Sequence, residues 1–170
     1  MSTLKVPSKP GTAFGGGYYA GRFFIDDQAY ALIVSPKATG QIDQMPWSKS
    51  INKVAGANSY CDGLNNTTAM VKAGSALAKK ITDLQIGKLK DWYLPSRLEL
   101  LIAHHCLAAV KAFKPGGKEA FDLMWYWSST QHASDAGYAW YQFFGDGYQG
   151  LWRKDDDGRA RAVRRIKITI

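Results

Sequence analysis

Two apolar runs near the start of the chain, residues 18–25 and 28–35, are separated by Asp26-Asp27, and this pattern predicts an antiparallel hairpin. From residue 66 the spacing changes. Ala69, Met70, Ala73, Leu77, Ala78 and Ile81 recur every three to four residues, which predicts a helix capped by Asn66 or Thr67 and running through Lys80, with Gly74 and Ser75 inside it. A second helix is predicted over residues 98–112. Ser96-Arg97-Leu98-Glu99 has the form of a capping box, Leu98, Leu101, Ile102, His105 and Ala109 trace one face, and Lys114-Pro115-Gly116-Gly117 stops the helix. Beyond Tyr126 the chain reads as an antiparallel meander. Residues 138–144 form an aromatic strand, Gly145-Asp146-Gly147 reverses it, residues 148–153 return, and Asp155-Asp156-Asp157-Gly158 turns again. The closing strand, 159–170, carries Ala160, Ala162, Ile166 and Ile168 at period-two positions. Residues 36–57 and 59–66 read as irregular, with Trp47 as their anchor. The order hairpin, helix, helix, meander is that of an α+β protein.

A chain of 170 residues is expected to be one domain, here 18–170, behind an N-terminal tether or arm, 1–17, that ends in Phe14-Gly15-Gly16-Gly17. Six Trp, nine Tyr and 17 Gly favour sheet, turns and contact surface over a helical bundle. The net charge of +8 suits a polyanionic partner or solubility alone, and no basic run exceeds two residues. Cys61 and Cys106 have neither CxxC nor Cys/His metal spacing, and Cys106, in the second helix, reads as a buried free thiol. His104 and His105 are adjacent on that helix and diverge by about 100°, so they cannot chelate one ion together. The first ten residues lack an apolar run, so no signal peptide is expected, and no stretch approaches the roughly 18 apolar residues of a membrane span.

Three motifs in order carry a resemblance. Asp91-Trp92-Tyr93-Leu94-Pro95-Ser96 with Glu99-Leu100 looks like W-R-L-P-T…E-L, Tyr126-Trp127-Ser128-Ser129-Thr130 like Y-W-S-S-T, and Arg161-Ala162-Val163-Arg164 like R-x-V-R. Together they resemble a bacterial and phage family that shares the C-type-lectin-like fold with the C-terminal domain of the Legionella collagen-like adhesin, with the variable proteins of diversity-generating retroelements and, more distantly, with formylglycine-generating enzyme. The resemblance implies two helices packed on a small twisted antiparallel sheet whose N- and C-terminal strands meet.

The motif residues read physically as structure. Trp92, Leu94 and Pro95 set the entry to the second helix, Ser96 and Glu99 cap it, Trp127 is core, and Ser128, Ser129 and Thr130 satisfy buried amides where a strand leaves the sheet. Arg161 and Arg164 are expected to pair with Asp91, Glu99 or Asp122. The resemblance places recognition on the segment between the Trp-Ser-Ser strand and the last strand, so the candidate ligand contacts are Tyr138, Tyr141, Tyr148, Trp152, Arg153, Asp155 and Asp156. Tyr, Trp and Arg provide rigid contact area at low entropic cost. Alternation puts Tyr138, Trp140 and Gln142 on one face and Tyr141 and Phe143 on the other.

The expected function is a non-enzymatic binding module of a phage virion or tail, made in the host cytoplasm, whose partner is a host-surface receptor, glycan or protein. The alternative is a structural or decoration protein whose partners are other virion proteins, with self-association open in both cases. An enzyme is disfavoured: the two cysteines do not match a paired site, and no Ser-His-Asp order, phosphate loop or HExxH is present. No cofactor or metal is expected, because 155–158 lacks EF-hand spacing and the sugar-binding Glu-Pro-Asn or Gln-Pro-Asp tripeptide of the fold is missing. Nucleic acid is disfavoured by the lack of a basic helix.

Overall fold

The computed structural model describes residues 5–169. In chain order its elements are β1 (Ala13–Phe14), β2 (Gly17–Ile25), β3 (Gln28–Val34), α1 (Lys37–Gly40), β4 (Gln41–Pro46), α2 (Gly63–Lys72), α3 (Ala76–Thr82), α4 (Arg97–Leu107), β5 (Trp125–Gln131), β6 (Tyr138–Phe143), β7 (Gln149–Arg153), β8 (Asp157–Arg161) and β9 (Val163–Lys167). The expected hairpin is β2 and β3, which reverse at Asp26 with φ 50°, a left-handed position that Asp tolerates better than most residues.

The α+β class holds, while the single sheet and the two helices do not. The strands form a four-stranded sheet, β1-β2-β3-β9, and a five-stranded sheet, β4-β8-β5-β6-β7. Pairing is antiparallel apart from β5 with β8, which meet in parallel at Tyr126 and Arg159. The predicted closing strand is therefore two strands in two sheets, joined at Ala162. The Ala162 N–H donates to Gly40 O at 2.9 Å and its carbonyl accepts from Ser35 N at 3.0 Å. The meander is real only through β5, β6 and β7, because β8 leaves β7 as an edge and inserts between β4 and β5. Strand β4 lies where the sequence reads as irregular, since Asp43 and Gln44 interrupt the apolar alternation. Trp47 nevertheless anchors that stretch, fully buried with its indole N–H on Ser128 O at 2.8 Å.

The first predicted helix is two. Asp62, not Asn66 or Thr67, caps α2 by accepting from Asn65 N at 2.9 Å, so the helix begins inside the stretch expected to be loop. Gly74, at φ 84°, ends it: its N–H bonds Val71 O, and Ser75 N–H bonds Met70 O, each at 3.0 Å. This pair of bonds is a Schellman termination, in which a glycine takes the left-handed position. Ser75 then caps α3 and donates to Trp47 O at 2.6 Å. Helix α4 starts at the predicted capping box, but it stops at Leu107 rather than near residue 112, and a short 3-10 turn, Lys111–Phe113, follows.

Two cores result. One, around Trp47, Met70, Leu77, Ile81, Trp92, Leu94 and Trp127, packs α2 and α3 against both sheets, and the other, around Phe23, Leu32, Tyr93, Leu107, Phe113, Phe121 and Tyr126, lies beneath α4. Part of the segment read as an arm is packed on the sheet. Gly11 N–H donates to Tyr19 O, β1 pairs with β2, and Gly15 O accepts from Arg164 at 2.7 Å.

Candidate functional site

The sequence motifs build the scaffold of the site. Trp92, Leu94, Pro95, Ser96, Glu99, Trp127, Ser128, Ser129 and Arg161 are all buried. Ser96 Oγ accepts from Glu99 N at 3.3 Å, and the Glu99 carboxylate accepts from Ser96 N at 2.7 Å and from the Tyr93 hydroxyl at 2.5 Å. Burial pushes the Glu99 carboxyl up to about 7, against those donors, which favour its charged form. The serines of β5 donate mainly to carbonyls: Ser128 to Trp140 O at 2.8 Å and Ser129 to Pro95 O at 3.2 Å. Thr130 likewise donates to Ser59 O at 2.9 Å, so this strand is stitched to both the α4 entry and β6.

Arg164 pairs with Asp91 at 2.6 Å, one of the expected partners. Arg161 does not use any of the three. It pairs with buried Glu119 at 3.0 Å, which also accepts from Lys37 N at 2.7 Å and Tyr18 Oη at 3.1 Å, while Arg161 Nε donates to Ser35 O at 2.9 Å. A buried charge is tolerated only when its hydrogen bonds are this complete. Glu119 sits in a stretch without periodic pattern, which is why the sequence does not reveal it. Cys61 and Cys106 are both free, and Cys106 is half-buried rather than fully so.

The register of β5, β6 and β7 sorts the candidate contacts. Trp125 lies opposite Phe143, Trp127 opposite Tyr141, and Ala139 opposite Trp152. Directly paired residues point to the same side, so these aromatics share one face of the sheet. Trp125 stacks on Tyr141 with centroids 4.5 Å apart, meets Trp152 edge-on at 4.6 Å, and Tyr148 extends the row 6.3 Å from Tyr141. Gly150, opposite Tyr141, makes room: a Cβ there would stand 2.5 Å from the Tyr141 hydroxyl. Trp127, at 5.8 Å from Trp152, roots the row in the core, while Trp125 is 38% exposed and Tyr148 61%.

The structure thus brings Tyr141, Tyr148 and Trp152 together and adds Trp125, but Tyr141 is buried, 6% exposed, and backs the row from the core instead of facing a ligand. Tyr138 and Arg153 pair on the opposite face, and Asp155 and Asp156 belong to the turn that follows. Asp155 holds Arg153 at 2.8 and 3.0 Å, and that contact keeps its carboxyl below the usual carboxylate range. Lys154 points inward between them, fully buried, donating to Gln131 Oε1 at 2.9 Å and Asn52 O at 3.0 Å, with burial pushing its amine down to about 8.

Beside the aromatic row, Met124, Trp125 and Trp152 wall a cleft of about 160 Å³ whose polar side is Asp43, Gln44, Asp157 and Arg159. Arg159 Nη1 donates to Asp43 at 2.9 Å and to Asp122 at 2.7 Å, and Asp122 also takes Lys37 at 2.7 Å. Burial works against the Asp122 charge, but the bonds from Lys37 and Gln41 and the nearby cations hold its carboxyl below the usual range. Trp125 was open to sequence reading, because it stands two residues before Trp127 and must share its face. The polar side comes from β4 and β8, whose adjacency no local pattern shows. Among the described residues no three His, Cys, Asp or Glu side chains converge on a metal-holding group, and no helix is long and apolar enough to cross a membrane.

A compact α+β scaffold presenting an aromatic row and a small polar-rimmed cleft is built to bind. Residues 37–164, well over half the chain, match the family described as the Lcl C-terminal domain, and the chain belongs to that family of adhesin-type domains. No curated protein matches it.

Proposed function

We propose that this chain is a non-enzymatic binding module with a C-type-lectin-like fold, a phage virion or tail component that recognises a host-surface glycan or protein. The observation that carries the reading is the aromatic row of Trp125, Trp152 and Tyr148, open or half-open to solvent and held rigid by ring contacts with buried Tyr141 and Trp127. Rigid, partly exposed Trp and Tyr are the residues that dominate binding hot spots. The antiparallel pairing of β9 with β3, which places the last strand in one sheet with the first three, supports the fold assignment.

Binding of the isolated protein to host cells, measured for wild type, Trp125→Ala, Tyr148→Ala and Arg153→Ala, tests the proposal. The first two should each weaken binding by about 2 kcal/mol or more. Arg153→Ala should leave it within roughly 0.5 kcal/mol, as for a solvent-facing residue outside the contact. Association with assembled particles alone, with no binding to cells, would instead make the chain a decoration protein.

A further inference from the structure

We infer that the cleft beside Trp125 is a subsite for one neutral hexopyranose ring. This rests on the aromatic row being the binding surface and specifies what it takes. Its volume, about 160 Å³, has room for a single ring and is small for a larger ligand. Trp125 and Trp152 stand 4.6 Å apart with planes 60° apart, so the cleft has an apolar wall of two ring surfaces in different orientations. A sugar ring has the matching form, with C–H groups on one face and hydroxyls around its edge. Those C–H groups carry partial positive charge and are drawn to the negative face of an indole.

The polar side decides the charge of the ligand. Asp43 is 72% exposed at its side chain and shares only one oxygen with Arg159, and Asp157 makes no ion pair among the described residues. Both carboxylates accept from hydroxyls, and Arg159 donates to them. An anionic group, such as a sulfate or uronate, would meet Asp43 and Asp157, and a cationic one would have to compete with Arg159, which already holds Asp43 and Asp122. A neutral polyol, carrying donor and acceptor on each hydroxyl, is the ligand that both signs tolerate. The cleft is therefore unsuited to a polyanion despite the overall charge of +8.

The test is a titration of the full chain with methyl α-D-glucopyranoside, methyl α-D-mannopyranoside and methyl β-D-galactopyranoside, read by tryptophan fluorescence and ligand-observed NMR, with heparin as the polyanionic comparison. At least one glycoside should bind saturably, with an affinity that salt does not change and that heparin does not compete away. Trp125→Ala should abolish that binding, and Asp157→Asn should weaken it about tenfold, the worth of one hydrogen bond to a charged group. Thermal melts of both variants identify any that fails to fold, and Asp157→Asn, at an exposed carboxylate, leaves the inference falsifiable if Trp125→Ala does fail. No saturable binding by any of the three glycosides, binding undiminished by Asp157→Asn, or competition by heparin overturns the inference. Loss of cell binding in Trp125→Ala without any glycoside binding sinks the sugar subsite and leaves the binding surface standing. Trp125-dependent glycoside binding with undisturbed cell attachment in Trp125→Ala and Tyr148→Ala does the reverse.

Discussion

Trp125 and Tyr141 lie ring on ring across β5 and β6, centroids 4.5 Å apart and planes 19° apart. Two residues along β5 and on the same face, Trp127 is 1% exposed and its indole N–H reaches Met45 O at 3.1 Å. One strand therefore carries a tryptophan that holds the fold and a tryptophan that meets solvent, and the two should respond differently to truncation.

Trp127→Ala, like Trp92→Ala in the same core, should cost about 3 to 5 kcal/mol, the loss for a large buried aromatic. Trp125→Ala should cost no more than about 1.5 kcal/mol, the scale of an aromatic pair contact. Denaturant unfolding at constant m-value gives the comparison. Equal losses for Trp125 and Trp127 would mean that the exposed ring is structural.

Removing one partner of the Arg161–Glu119 pair should be severe. Glu119→Ala leaves a fully buried guanidinium without its carboxylate and should destabilise by about 3 to 5 kcal/mol, whereas Arg164→Ala, whose partner Asp91 is half exposed, should cost about 1 kcal/mol or less. Thermal melts of the two variants side by side check the ranking. A larger loss for Arg164→Ala would mean that the surface pair, not the buried one, locks the last strands.

Stability should fall as pH rises from about 5 to 8. The folded Glu99 carboxyl, at about 7, lies above its unfolded value, so the folded state binds the proton more tightly. The stabilisation is fully present below the unfolded value near 4.5 and is lost as pH passes through the folded one. At roughly 1.4 kcal/mol per pKa unit the change amounts to a few kcal/mol. Glu99→Gln keeps an acceptor for Tyr93 and Ser96 and should flatten the profile, and an unchanged slope in that variant would assign the pH dependence to another group.

What the sequence determined is local. The β2–β3 hairpin follows from two apolar runs around Asp26-Asp27, the start of α4 from its capping box, and the alternation in β6 sorts Tyr141 from Tyr138 because a strand has period two whatever it packs on. Even the break between α2 and α3 was written in Gly74, although a periodic apolar stripe runs through it and conceals the stop. What only the tertiary structure decided is non-local. The chain crosses between sheets at Ala162, β8 enters beside β5, and Glu119 comes to rest on Arg161, each brought about by contacts between segments far apart in sequence that carry no periodic signal of their own. The cleft belongs to this second kind. Trp125 and Trp152 are readable as aromatic strand residues, but Asp43 and Arg159 reach them only because β4 and β8 pair, and a site assembled from strands distant in sequence exists only once the sheet has closed.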